Sequence, residues 1–127
     1  QNQFLGKVLF MGDCSEDELK EAYTNADIFA LTSMPKKMSV EGFGFVYLEA
    51  SSHGLPIVAN RIGGVEDAVI HEETGLLSHP HDLHTLSENF KRLISDQSLR
   101  EKLGKNGVSW ANSHSWDKIA RDLYSDL

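Results

Sequence analysis

Sulfur and positive charge are scarce in this chain of 127 residues. Its single cysteine, Cys14, cannot close an internal disulfide or form a thiolate metal cage, which excludes a disulfide scaffold and a zinc ribbon. Lys and Arg number 12 against 19 Asp and Glu, and the resulting net charge of −7 disfavours binding to nucleic acid. No run approaches the roughly 18 apolar residues of a membrane helix, and Gln1–Gln3 lacks the features of a signal peptide. We therefore expect a cytosolic protein with no nucleic-acid partner.

The composition is otherwise that of a folded domain, with 40% hydrophobic and 24% charged residues. We expect residues 1–127 to form one domain. Short apolar runs alternate with amphipathic segments, which predicts an α/β fold with a parallel sheet and helices on both faces. The runs that predict strands are residues 7–12, 28–32, 56–59 and 75–78.

Several local signals predict where helices begin and end. Ser15 and Glu18 have the spacing of a capping box, and Asp82 and Asp96 suit helix caps. Gly54 suits the left-handed residue that follows a helix over 45–53. Further helical segments are predicted over 65–70 and after Ser115.

The segment between the second strand and the next helix has the composition of a ligand site. Gly42 and Gly44 leave backbone exposed just before a helix begins, where several N–H groups can hold a phosphate without Lys or Arg. Glu41 and Glu49 could face one pocket and accept hydrogen bonds from sugar hydroxyls. Spacing alone favours the plainer alternative, in which both carboxylates are solvated and the glycines only make a turn.

A longer set of motifs resembles a known family. The chain is similar to the C-terminal, nucleotide-sugar-binding half of retaining glycosyltransferases with the GT-B fold, the family of bacterial mannosyl- and glucosyltransferases and sucrose synthases. The segments that carry the resemblance are Ser33, Glu41–Ala50, Gly54–Val58, Gly63–Glu66 and Thr74–Leu77. The resemblance implies a Rossmann-like α/β domain, here incomplete because it lacks its first strands.

The resemblance also implies a role for each matching residue. Glu41 would contact the hydroxyls of the donor hexose as the catalytic residue, and Glu49 would bind the ribose hydroxyls. The donor-binding backbone would comprise Gly42, Phe43 and Gly44 at the sugar and pyrophosphate and the amides of Phe45 and Val46 at a phosphate. The implied reaction transfers a hexose from a nucleoside diphosphate sugar with retention at the anomeric carbon, without a metal or another cofactor.

Parts of the family pattern do not occur within residues 1–127. The Arg and Lys that neutralise the diphosphate and the N-terminal acceptor domain are missing, so we expect this chain alone to be inactive. The family's strand order places two strands between the first and second strands predicted here, which would leave a gap in the sheet. We expect the exposed sheet edges to make the chain rearrange, dimerise by strand exchange or pair with a second polypeptide. The N-terminal acceptor domain of the same enzyme is a further expected partner.

The sequence is also compatible with two other functions. The chain could be a non-catalytic interaction or assembly module of the same fold, or a different α/β domain such as a flavodoxin-like regulator.

Three histidines and two tryptophans are further candidates for functional residues. The histidines His79, His81 and His84 lie beside Asp82 and could hold a metal, but a solvated loop is the favoured interpretation. The tryptophans Trp110 and Trp116 are expected to pack in the core.

Overall fold

The computed structural model describes residues 8–32 and 45–113, and the predicted helix after Ser115 lies outside them. In chain order the elements are α1 (Glu16–Asn25), β1 (Phe29–Leu31), α2 (Phe45–Ser52), β2 (Ile57–Asn60), α3 (Val65–Ala68), β3 (Gly75–Ser78), α4 (Leu83–Ser95) and α5 (Gln97–Ser113). None of these helices has the length and apolar character needed to cross a bilayer.

The three strands form one parallel sheet in the order β1-β2-β3. In the register, Val58 of β2 lies between Ala30 of β1 and Leu76 of β3. All residues of β2 and β3 are buried, whereas β1 is half-buried at Phe29 and exposed at the next two positions. Continuous apolar strands buried on both faces are typical of parallel sheets, so the predicted α/β class is confirmed.

Successive residues of the strands alternate between two hydrophobic clusters, as the pleat requires. Ile57 and Ala59 join a cluster with Tyr23 of α1 and Tyr47 of α2. The second cluster consists of Val58, Leu76, Leu93 and Leu103, which brings α4 and α5 into the core. The half-buried Trp110 packs against the first cluster and donates from Nε1 to the Ala68 carbonyl at 2.8 Å, which confirms its packing role.

Three of the predicted helix caps are confirmed, whereas the helix predicted over 65–70 ends at Ala68. The Ser15 hydroxyl accepts from the Glu18 amide at 3.1 Å, and the Glu18 carboxylate accepts from the Ser15 amide at 2.9 Å. Asp82 caps α4 by accepting from the Thr85 amide at 3.0 Å. Gly54 follows α2 with a φ of 80°, the left-handed conformation that an L side chain rarely adopts.

The strand predicted over residues 7–12 is wrong for the residues that the structure describes. Residues 8–12 form no strand, and Leu9 and Phe10 are 81% and 84% exposed. A strand needs a neighbour whose backbone can pair with it, and no described segment pairs with this one. The described sheet is therefore three adjacent strands, and the expected four-stranded sheet with a gap is not observed.

Candidate functional site

The part of the candidate site that the structure describes begins at the first residue of α2. Glu41, Gly42, Phe43 and Gly44 lie outside the described residues. The other three predicted site residues are on α2, with Phe45 and Val46 in its first turn and Glu49 one turn further along. Val46 is 38% exposed and Glu49 is half-buried, so both lie on the side of the helix that reaches the surface.

The sequence of α2 explains why it is anchored firmly. Tyr47, Leu48, Ala50 and Ser51 are all buried, so the helix packs against the sheet and α5 over much of its circumference. Its C-terminal turn closes through the Gly54 amide, which donates to the Ser51 carbonyl at 2.9 Å. Glu49 is therefore presented from a rigid element rather than from a loop.

The N-terminus of α2 differs electrostatically from those of the other described helices. Acidic residues occupy the first turns of α1 and α3, whereas Asp82 caps α4 and Asp96 caps α5. The first turn of α2, Phe45 to Tyr47, contains no acidic residue. The partial positive charge of a helix N-terminus attracts anions. In α2 no first-turn carboxylate of its own offsets that attraction.

Glu49 is held by a tyrosine from a different helix. The Tyr23 hydroxyl of α1 donates to Oε1 of Glu49 at 3.3 Å. Burial, together with the charge and hydrogen bond of Glu49, raises the pKa of Tyr23 to about 12. Tyr23 therefore keeps its proton and acts as a donor throughout the physiological pH range.

A cavity of about 260 Å³ opens at the carboxyl ends of the three strands. Thr32 follows β1, Asn60 ends β2 and His79 follows β3. Open α/β sheets bind their ligands at this edge. The remaining lining residues are His81, Asp82, Leu83 and Leu86, so Glu49 is outside this cavity.

The histidine-rich loop that borders the cavity forms no metal site among residues 8–32 and 45–113. Asp82 is occupied as the cap of α4, and the hydrogen bond from the Thr85 amide lowers the pKa of that carboxyl. His81 adopts a left-handed φ of 72°, which places a bend between β3 and α4.

Sequence reasoning missed the contribution of Tyr23. A tyrosine in an amphipathic helix indicates only a core residue, and Tyr23 lies 26 positions from Glu49 in the sequence. The one available signal was its polar hydroxyl, because a buried phenol needs a hydrogen-bond partner.

Comparison with known proteins identifies the family of this domain. The family model of the glycosyl transferases group 1 matches residues 2–110. The chain belongs to the group 1 glycosyltransferases. A relative in Mycobacterium tuberculosis, a GDP-mannose-dependent alpha-(1-6)-phosphatidylinositol monomannoside mannosyltransferase, is 33% identical over 119 residues, which are 91% of this chain and 31% of the relative.

Solved structures of group 1 glycosyltransferases and related enzymes share the fold. The sucrose-phosphate synthase of Thermosynechococcus elongatus aligns with a TM-score of 0.77 and 30% identity, over 96% of this chain and 31% of that one. Anabaena HepE, in a complex with UDP and glucose, aligns with a TM-score of 0.76 and 26% identity, over 98% of this chain and 34% of that one. This glycosyltransferase chain thus spans about a third of each of these three proteins, and the Rossmann-like GT-B assignment is confirmed.

Proposed function

We propose that this chain is the nucleotide-sugar-binding part, the C-terminal half, of a hexosyltransferase. Glu49 binds the ribose hydroxyls of the donor, and the amides of Phe45 and Val46 bind a phosphate. The observation that carries the proposal is the composition of α2, whose first turn has no acidic residue while a half-buried carboxylate follows one turn later. The GDP-mannose-dependent relative and the UDP complex of HepE support a nucleoside diphosphate sugar as ligand.

A phosphate site built from backbone N–H groups suits a chain with this charge. A net charge of −7 opposes an anionic ligand at long range, so a diphosphate needs a strong local attraction. Helix N–H groups provide it without a basic side chain. They are already oriented when negative charge builds up on the leaving diphosphate, which is the charge that the enzyme must stabilise.

The proposed roles of Glu41, Gly42, Phe43 and Gly44 rest on the resemblance of their motif to the family. Glu41 acts on the hydroxyls of the donor hexose, and the three residues after it line the sugar and pyrophosphate. The proposed reaction transfers the hexose with retention at the anomeric carbon and requires no metal or other cofactor. The proposed location is the cytoplasm, in keeping with a chain whose only cysteine is Cys14.

We further propose that the outer edge of β1 is covered by more polypeptide in the active protein. β1 is exposed at Ala30 and Leu31, while its neighbour β2 is fully buried. Val8 to Met11 adds four exposed apolar residues, between 46% and 84% accessible. The acceptor domain, a second polypeptide or another copy of this chain would each bury this surface.

Sedimentation over a range of concentrations tests whether another copy provides the cover. We expect self-association that weakens when Ala30 is replaced by Lys, because an edge charge blocks strand pairing. A monomer at every concentration would exclude the homo-oligomer and leave the other two partners.

The central proposal is tested by titrating the chain with UDP, GDP and ADP in a calorimeter. We expect at least one of them to bind, and Glu49→Gln to weaken it roughly tenfold, the effect of a charge-assisted hydrogen bond. Glu21→Gln is the matched control, since it makes the same change on the exposed surface of α1.

Binding that is absent for all three nucleotides would overturn the proposal and favour the non-catalytic assembly module. Binding that is equally strong in wild type and Glu49→Gln would remove Glu49 from the site.

A further inference from the structure

Tyr23 and Glu49 form a pair that joins two helices. Tyr23 is 7% exposed, and its hydroxyl lies 3.3 Å from Oε1 of Glu49. None of the ion pairs formed by residues 8–32 and 45–113 includes Glu49. The carboxylate is therefore oriented by a neutral donor, which leaves its negative charge available to a ligand.

The ring of Tyr23 is fixed from two sides. It stacks on His53, with ring centroids 4.9 Å apart and planes 18° apart, and its centroid lies 6.0 Å from that of Phe29. A buried ring between two aromatic neighbours has few rotamers available. The hydroxyl is consequently held at one place beside Glu49.

The backbone of Glu49 is held by the same group of residues. Its carbonyl accepts from Oγ of Ser52 at 2.6 Å and lies 3.0 Å from Nδ1 of His53, which donates when that nitrogen carries the proton. The ring that stacks on Tyr23 therefore also contacts the main chain of Glu49. Both ends of the Glu49 residue are positioned by this cluster of Tyr23, Ser52 and His53.

We propose that Tyr23 is a positioning residue for nucleoside binding, whose hydroxyl holds the Glu49 carboxylate in the orientation that accepts two adjacent ribose hydroxyls. This inference rests on the proposed role of Glu49. A free glutamate side chain loses rotamer entropy when a ligand fixes it, and a carboxylate fixed in advance avoids that loss. Each carboxylate oxygen has two acceptor sites, so Oε1 can accept from Tyr23 and from the ligand together.

Tyr47 provides a matched control within the same cluster. It is also buried and contacts Phe29, but its hydroxyl donates to the Leu31 carbonyl at 3.3 Å. Tyr23→Phe and Tyr47→Phe each remove one buried phenol hydroxyl and keep the ring. The first removes the hydrogen bond to Glu49, and the second removes the hydrogen bond to the Leu31 carbonyl.

The experiment compares UDP or GDP, whichever binds more tightly, with its 2′,3′-dideoxy analogue. We expect Tyr23→Phe to weaken the ribonucleotide roughly threefold to tenfold, the effect of one hydrogen bond, and to leave the dideoxy analogue unchanged. Tyr47→Phe should leave the ratio of the affinities for the ribonucleotide and the dideoxy analogue unchanged. Adding Tyr23→Phe to Glu49→Gln should cause no further loss of affinity for the ribonucleotide, because the two residues act as one unit.

An equal loss for both ligands in Tyr23→Phe would overturn the inference, since it would indicate a general structural defect. If no nucleotide binds, the proposed function fails instead, and if Glu49→Gln binds as wild type does, the proposed role of Glu49 fails. The ¹³C resonance of the Glu49 carboxylate then decides the matter of positioning. It should move in Tyr23→Phe and stay in place in Tyr47→Phe, and an unchanged resonance in both would contradict the inference.

Discussion

Gly104 of α5 packs directly against the carbonyl oxygen of Gly54, and a β-carbon added at Gly104 would overlap that oxygen. The contact lies at the turn where α2 ends. One turn later Gly107 faces Ser51, where an added β-carbon would lie 3.3 Å from the serine β-carbon. Two small residues on α5 thus let it approach the helix that carries Glu49.

Gly104→Ala is expected to destabilise the domain by about 1–3 kcal/mol, the usual cost of overpacking a close contact. The added methyl group must displace the backbone of the turn after α2, which cannot move as a flexible side chain would. Urea denaturation measures the change. Lys105→Ala, at the exposed neighbouring position, should leave the free energy of unfolding within about 0.5 kcal/mol. Equal stability of wild type and Gly104→Ala would contradict the observed packing.

Ser51 carries a buried hydroxyl that has no hydrogen-bond partner among the described residues. Ser51→Ala removes an unsatisfied polar group, so we expect stability to stay the same or to rise by about 1 kcal/mol. Ser78 is equally buried, but its hydroxyl donates to Oδ1 of Asn60 at 3.4 Å. Ser78→Ala should therefore lower stability by about 1 kcal/mol. Thermal denaturation should show a lower Tm for Ser78→Ala and an unchanged or higher Tm for Ser51→Ala. A similar loss in both would mean that the Ser51 hydroxyl has a hydrogen-bond partner.

Glu72 combines a left-handed backbone with an ion pair, and two substitutions separate these effects. Its φ is 67°, and its carboxylate accepts from both terminal nitrogens of Arg92 at 2.7 and 3.0 Å. Glu72→Ala loses the pair and keeps the strained backbone, whereas Glu72→Gly loses the pair and relieves the strain. We expect the glycine variant to be more stable in urea denaturation by about 1 kcal/mol. A more stable alanine variant would show that this φ carries no strain.

His71 makes the stability of the fold depend on pH. Burial, followed by the positive charges of Arg61 and Arg92, lowers its pKa below 6.5, and the negative charges of Glu72 and Glu66 offset only part of that effect. Its Nδ1 accepts from the Leu77 amide at 3.0 Å, which requires a neutral ring.

The sign of the effect follows from proton binding. Below about pH 6.5 the unfolded state takes up a proton that the folded state resists, so stability falls as the pH falls through this range. His71→Gln should show a shallower decline between pH 7 and pH 5 in urea titrations. A variant with the wild-type slope would assign the dependence to other groups.

Local signals in the sequence predicted most of the elements. The Ser15 capping box, the Asp82 cap and the left-handed Gly54 each act within a few residues, and the structure has all three. β3 lies at its predicted residues because its run is apolar and is buried on both faces.

The segment at residues 8–12 was mispredicted because strand formation depends on a neighbour, which composition does not reveal. Leu9 and Phe10 are apolar enough for a buried strand, yet they are exposed where no described segment pairs with them. The link between Tyr23 and Glu49 depends likewise on how α1 and α2 pack. The positions of Phe45, Val46 and Glu49 on one helix were predicted, whereas the residue that orients Glu49 required the structure.

The most direct test of the account is an NMR titration of the chain with UDP and GDP, resolved by residue. The account predicts that one nucleotide shifts the amide resonances of Phe45 and Val46 and the carboxylate resonance of Glu49. All three shifts should fit one binding curve with the same Kd. Resonances of α4 residues remote from α2, such as Glu88 and Lys91, should stay in place. Shifts confined to other parts of the chain, with α2 unaffected by both nucleotides, would contradict the assignment of the donor site to this helix.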